Sequence, residues 1–202
     1  MKEFFHYYPW YQLPESVRAR TLELYDRLAD LGAELLGWIQ AGLPDEVSRS
    51  LSCPLPAMVH RSQDTLLRVL HYPPLEPTTD AATYVGAGAI RAAAHEDINL
   101  ITLLCAATES GLQVKDLEGA WHDVPCEPGQ IAVNSGDMLQ LATAGYFRST
   151  THQVINPDSK ESHRSRYSMP LFLHPRPDVR LTPEVTAGEF LRERLVQIGL
   201  KS

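Results

Sequence analysis

Apolar residues recur three or four apart in the first part of the chain, and the pattern shortens to strand-like runs in the rest. Between Pro14 and Leu43, the series Val17, Leu22, Leu24, Leu28, Leu31, Leu35, Leu36 and Ile39 faces away from Arg18, Arg20, Glu23, Asp26, Arg27 and Asp30. This is an amphipathic helix, opened at Pro14-Glu15 after an aromatic lead-in and stopped by Gly42, Leu43 and Pro44. The stripe lacks a sustained heptad, so it is expected in a core rather than in a zipper. Asp45 to Ser52 predicts one further short helical stretch.

From about Thr65 the pattern is that of strands and turns. LLRVLHY (66–72) is rich in β-formers and ends at Pro73-Pro74, which cannot continue a ladder. A loop, EPTTDAATYVGAGAIRAAA, leads to INLITLLCAA. GLQVKDL and AWHDVP follow, with Glu118-Gly119 as the hairpin turn between them. Then come IAVNSG, DMLQLAT as a strand ended by Gly145, THQVINP, a polar loop, and RYSMPLFLHP. Asn134-Ser135-Gly136-Asp137 has the residues of a turn between strands. The segment after Thr182 predicts a closing helix capped at Thr186. Many short strands punctuated by turns point to an antiparallel sandwich or small barrel, mainly β with flanking helices. The expected organisation is a helical segment over 1–60, a β core over 61–178 and a helical tail over 179–202.

Composition narrows the function classes. With 202 residues the chain has room for one domain with a sizeable core. A formal net charge of −7 argues against binding nucleic acid through a broad basic face. No stretch approaches the roughly 20 apolar residues of a membrane span, and the N-terminus lacks the apolar core of a secretory signal. Cys53, Cys105 and Cys126 are odd in number and widely spaced, as free thiols of a reducing compartment would be. The expectation is a cytoplasmic protein acting on a small molecule, with neither nucleic acid nor membrane as partner.

Among the eight histidines, His95 stands out because Asp97 lies two residues on. In an extended segment the two side chains point the same way while Glu96 turns aside. His152, next to a strand-like segment, can supply a third ligand. Two imidazoles and one carboxylate leave positions open on a divalent ion, which suits non-haem iron(II) and oxygen. The same three ligands suit a hydrolytic zinc ion. Downstream, Arg166 and Ser168 are again two apart on a predicted strand, so a guanidinium and a hydroxyl face one pocket and can hold a carboxylate. Tyr72 can add a phenolic donor. Arg68, Phe147 and Phe172 are candidates to line the pocket, with packing or surface positions the favoured expectation, and Arg148 and Arg164 are expected as solvated charges.

In that order and spacing, LLRVLHYPP (66–74), AHEDINLITLL (94–104), the run from Gly111 to Val154 and RYSMPLFLHPRPD (166–178) resemble the isopenicillin N synthase-like branch of the iron(II)- and 2-oxoglutarate-dependent dioxygenases. KEFFHYYPW (2–10) resembles a segment ahead of the long helix in bacterial members. The resemblance implies a double-stranded β-helix (jelly roll, cupin-like) core preceded by a long helix and closed by a C-terminal one. It assigns His95, Asp97 and His152 to Fe(II), and Arg166 and Ser168, with Tyr72 in support, to the distal carboxylate of 2-oxoglutarate. The implied reaction uses O2 to oxidise a small molecule by hydroxylation, desaturation or ring closure, releasing succinate and CO2, with ascorbate as an optional reductant. An oxidase of the same fold that uses no 2-oxoglutarate, and a catalytically silent scaffold, are the alternatives. The sequence departs from the family at Leu70, where many plant relatives carry asparagine. It also lacks the longer N-terminal region with its flanking strands, so one sheet edge is expected bare and open to self-association.

Overall fold

The computed structural model describes residues 3–74, 88–156 and 164–200. The helical periodicity becomes α1 (Glu15–Ala41), opened after Pro14 and closed at Gly42. Its buried stripe is Tyr25, Leu28, Gly32 and Leu36, while Val17 and Leu22 stay exposed. Gly32 permits the close approach of α1 to the sheet, because a Cβ there would lie 2.5 Å from Leu173 Cδ2. Two short helices, α2 (Asp45–Ser50) and α3 (Leu55–Val59), follow, and α3 packs on α1.

The described strands form two antiparallel sheets. In the larger one the order is β1 (Glu3–Tyr7), β2 (Leu66–Tyr72), β10 (Pro170–Leu173), β4 (Ile101–Cys105) and β7 (Ile131–Ser135), and β9 (Arg166–Ser168) pairs with β2. The pairs Tyr72↔Arg166, Leu70↔Ser168 and Leu67↔Leu171 keep one register, so β9 and β10 run along β2 as one interrupted strand. The smaller sheet has the order β3 (Ile90–His95), β8 (His152–Ile155), β5 (Leu112–Lys115) and β6 (Trp121–Asp123). The predicted β5–β6 hairpin is present, with Gly119 at φ +90° in its turn. This is the double-stranded β-helix, with helices packed outside the larger sheet. No helix of the described residues is long and apolar enough to cross a membrane.

Three elements differ from the sequence pattern. The aromatic lead-in is a strand: β1 pairs with β2 over Glu3↔His71 to Tyr7↔Leu67, so residues 1–60 are not purely helical. The backbone of β2 offered an unpaired ladder, a long-range partner that local periodicity cannot reveal. DMLQLAT is not a strand but α4 (Asp137–Ala142), with Met138, Leu139 and Ala142 buried; a short apolar run does not distinguish helix from strand. The predicted loop before His95 contains β3 from Ile90 onward; residues 75–87 of that stretch, and most of the polar loop after Pro157, lie outside the described residues. The closing helix, α5 (Ala187–Gln197), begins at the expected cap: Thr186 Oγ1 accepts from Glu189 N, and the Glu189 carboxylate accepts from Thr186 N.

Candidate active site

Backbone pairing brings the two histidines together. His95 ends β3, His152 begins β8, and they are register partners in a ladder distorted by register shifts. Their ring centroids lie 4.3 Å apart with planes tilted by 50°. Asp97 follows two residues after His95, and ligand atoms from the three side chains all fall within 4.8 Å of one another. His95 is exposed, His152 half-buried and Asp97 buried, so the cluster sits at an opening with the carboxylate on its inner side.

Each ligand is oriented by a hydrogen bond on the side away from the cluster. His95 Nδ1 meets Ala93 O at 2.7 Å, and His152 Nδ1 meets Thr150 O at 3.0 Å. A carbonyl only accepts, so both Nδ1 atoms carry the proton in these bonds and Nε2 is the atom each ring can offer to a metal ion. Asp97 Oδ2 accepts from Thr102 Oγ1 at 2.6 Å and from Asn134 Nδ2 at 2.9 Å. Oδ1 is turned to His152, 3.9 Å from its Nε2. Glu96 does turn aside, accepting from Thr151 Oγ1.

Asn134 belongs to β7 rather than to a turn, and its role in steering Asp97 was not legible locally. Gly136 has a contact reason rather than a turn reason. A Cβ there would lie 2.3 Å from Asn99 O and 2.8 Å from Asp97 O. The start of α4 thus presses on the loop that carries Asp97, and Asp137 N donates to Asp97 O.

A cavity of about 400 Å³ runs inward between the sheets from this cluster. Arg166 and Ser168 both line it and are both buried, while Tyr167 between them points out to stack on His71. The guanidinium of Arg166 lies 5.4 Å from the Tyr72 ring centroid. Its Nε donates to Glu109 O and Ser110 O, and among the described residues it forms no ion pair. Arg166 is 2 % exposed. Burial lowers its pKa, and burial raises that of the Tyr72 phenol against the pull of Arg166, Arg68 and Arg91. A guanidinium so enclosed needs an anion, and its fork matches a carboxylate. Tyr72 thus meets Arg166 through its ring face as a cross-strand partner.

Of the three residues named as candidates to line the pocket, Arg68 and Phe172 stand in the cavity wall with Leu70 rather than in the favoured packing or surface positions. Phe147 packs against the main core, as expected. Arg148 is exposed, and Arg164 pairs loosely with Glu109 at 3.7 Å.

Residues 63–175 match the family model described as the 2OG-Fe(II) oxygenase superfamily. The chain belongs to this superfamily. Its relatives include a 2-oxoglutarate-dependent dioxygenase of Monascus ruber, 34% identical over 88% of this chain and 50% of its own length. Another is gibberellin 2-beta-dioxygenase 1 of Arabidopsis thaliana, 30% identical over 90% of this chain and 50% of that protein. The chain spans about half the length of these curated relatives. Among solved structures it resembles a protein of Shewanella oneidensis described as an oxygenase, with 51% identity and a TM-score of 0.89, covering 98% of this chain and 71% of that one. A 2OG-Fe(II) oxygenase family protein of Caulobacter crescentus gives 33% identity and a TM-score of 0.73, over 98% and 70% of the two chains. The superfamily's double-stranded β-helix is therefore the fold in which the His95, Asp97 and His152 cluster and the Arg166 pocket are set.

Proposed function

We propose that the protein is a non-haem iron(II), 2-oxoglutarate-dependent oxygenase that oxidises a small molecule, with His95, Asp97 and His152 holding the metal. One observation carries the co-substrate half of this reading: Arg166 is fully buried, without an ion pair among the described residues, in the same cavity as the three-ligand cluster. Two neutral imidazoles and one carboxylate, with Nδ1 protons held by backbone carbonyls, fit a divalent ion and leave room for other ligands. Bound iron(II) would supply oxygen activation coupled to conversion of 2-oxoglutarate into succinate and CO2.

The chain's own residues do the rest. Arg166 and Ser168 would hold the distal carboxylate of 2-oxoglutarate, and the Tyr72 ring supports the guanidinium. The apolar wall, which includes Leu104, Val114 and Val154, limits water around the reacting groups. Asn134 and Thr102 fix which oxygen of Asp97 faces the metal. Leu70 offers the co-substrate no polar contact.

The setting proposed is the cytoplasm, with no nucleic-acid or membrane partner. The net charge of −7 and three free cysteines support this. Self-association is proposed along β1, an outermost strand of the larger sheet that exposes Phe4 and Phe5.

The test is oxygen uptake by the purified chain supplied with iron(II), with and without 2-oxoglutarate, with succinate measured alongside. Slow uptake and succinate formation that require both additions are expected. Uptake independent of 2-oxoglutarate would overturn the co-substrate assignment, and absence of stoichiometric iron binding would overturn the metal assignment.

A further inference from the structure

Arg68 is a second cation in the cavity, and the co-substrate reading does not use it. It lies on the same face of β2 as Tyr72, four residues back, which is about 13 Å along an extended strand. Within that span Leu70 also lines the cavity. A 2-oxoglutarate held by Arg166 beside Tyr72 has one distal carboxylate, and that is spent there. The Arg68 seat therefore remains for a different molecule.

The side chain is placed with care. Its Nε donates to His6 Nε2 at 2.7 Å, and His6 is its register partner across the β1–β2 ladder. The guanidinium carbon lies 4.8 Å from the Phe172 ring centroid and 5.7 Å from that of Phe4, within cation–π range of both. Arg68 is half-buried, and among the described residues it forms no ion pair and its Nη1 and Nη2 atoms donate no hydrogen bond. Arg68 lines the same cavity as His95, Asp97 and His152.

Resting on the proposed oxygenase reading, we propose that Arg68 and Phe172 form the anchor for a carboxylate on the primary substrate. The Nη1/Nη2 edge of the guanidinium can grip a carboxylate through two parallel hydrogen bonds. Phe172 gives an apolar ring for the carbon skeleton beside that carboxylate. His6 acts as a positioning residue: by accepting from Nε it fixes which edge of the fork is left for the ligand. A single guanidinium matches a monoanion. The substrate class is thus a small carboxylic acid with an apolar or flat body, held acid-first at Arg68 in the cavity that His95, Asp97 and His152 also line.

The test is calorimetric and needs no turnover. The chain is loaded with Mn(II) in place of iron and with saturating 2-oxoglutarate, so that Arg166 is occupied. Benzoate, phenylacetate and cinnamate are then titrated beside their primary amides. Loss of a charge-assisted contact corresponds to a factor of about ten to a hundred in affinity, so the acids should bind at least about tenfold more tightly than the amides. In Arg68→Met that preference should vanish while 2-oxoglutarate affinity stays unchanged; Arg68→Lys should keep part of it. His6→Phe should weaken the acids and leave the amides alone. No acid preference in the wild-type chain would overturn the proposal without reference to any variant. So would a preference that survives in Arg68→Met. Failure of 2-oxoglutarate itself to bind is a separate result, and would sink the co-substrate reading instead.

Discussion

The Thr102 hydroxyl donates a 2.6 Å hydrogen bond to Oδ2 of Asp97. Thr102 sits on β4, inside the larger sheet, and Asp97 on the loop leading into it. Asn99 Nδ2 in turn donates to Thr102 Oγ1 at 3.0 Å and to Ile101 O at 2.7 Å. The Asp97 carboxylate is thus held by a chain of buried polar groups anchored in the larger sheet. Thr102→Val keeps the shape and removes the hydroxyl. It should lower metal affinity by about ten- to a hundredfold, as losses of outer hydrogen-bond partners do. Competition with a metal chelator measures this, and an unchanged affinity would mean that Asn134 alone suffices to orient Asp97.

Arg166→Met should leave metal binding intact and weaken 2-oxoglutarate by about tenfold to a hundredfold, the loss of one charge-assisted contact in a buried site. Titration of 2-oxoglutarate into the Mn(II)-loaded chain reads it directly. The variant should not be grossly destabilised, because removing a buried cation without an ion pair among the described residues relieves a desolvation cost.

Gly136→Ala introduces a Cβ 2.3 Å from Asn99 O and 2.8 Å from Asp97 O. Backbone must shift to admit it, at a cost of about 1–3 kcal/mol in stability. Because the displaced loop carries Asp97, metal affinity should fall together with the urea midpoint. A variant that loses stability but binds metal normally would show that the loop yields on the Asn99 side only.

His174 is buried, its Nδ1 lying 3.3 Å from Phe172 O, and burial lowers its pKa from 6.5 to about 4. The unfolded chain therefore binds this proton over a pH range in which the folded chain does not. Stability from this group is complete above pH 6.5 and declines as pH falls toward 4. The expected loss between pH 7 and pH 5 is about 2 kcal/mol. Urea unfolding at both pH values, with His174→Gln as reference, should show a smaller pH dependence in the variant.

The helices α1 and α5 and the strands β2, β4, β5, β6, β8 and β10 are legible in the chain because their signals are local. Periodicity, the stop at Pro73-Pro74, the Gly119 turn and the Thr186 cap act within a few residues of where they are read. The alternation at His95 and Asp97, and at Arg166 and Ser168, is legible for the same reason: two residues apart on a strand means one face. Yet those spacings alone left iron and zinc equally open, and it took the ordered resemblance along the chain to separate them.

Tertiary structure decided what no local pattern contains. β1 is a strand because β2, some sixty residues away, offers its edge. The run 137–142 is a helix because its apolar residues are buried against the core rather than laid on a sheet. Asn134 and Thr102 become partners of Asp97 only when β4 and β7 pair, Thr102 opposite Asn134. Arg68 looks like any strand arginine until His6, Phe4 and Phe172 gather around it from two other strands. A side chain's direction is set by its neighbours in sequence; its partners are set by which distant backbones find hydrogen bonds together.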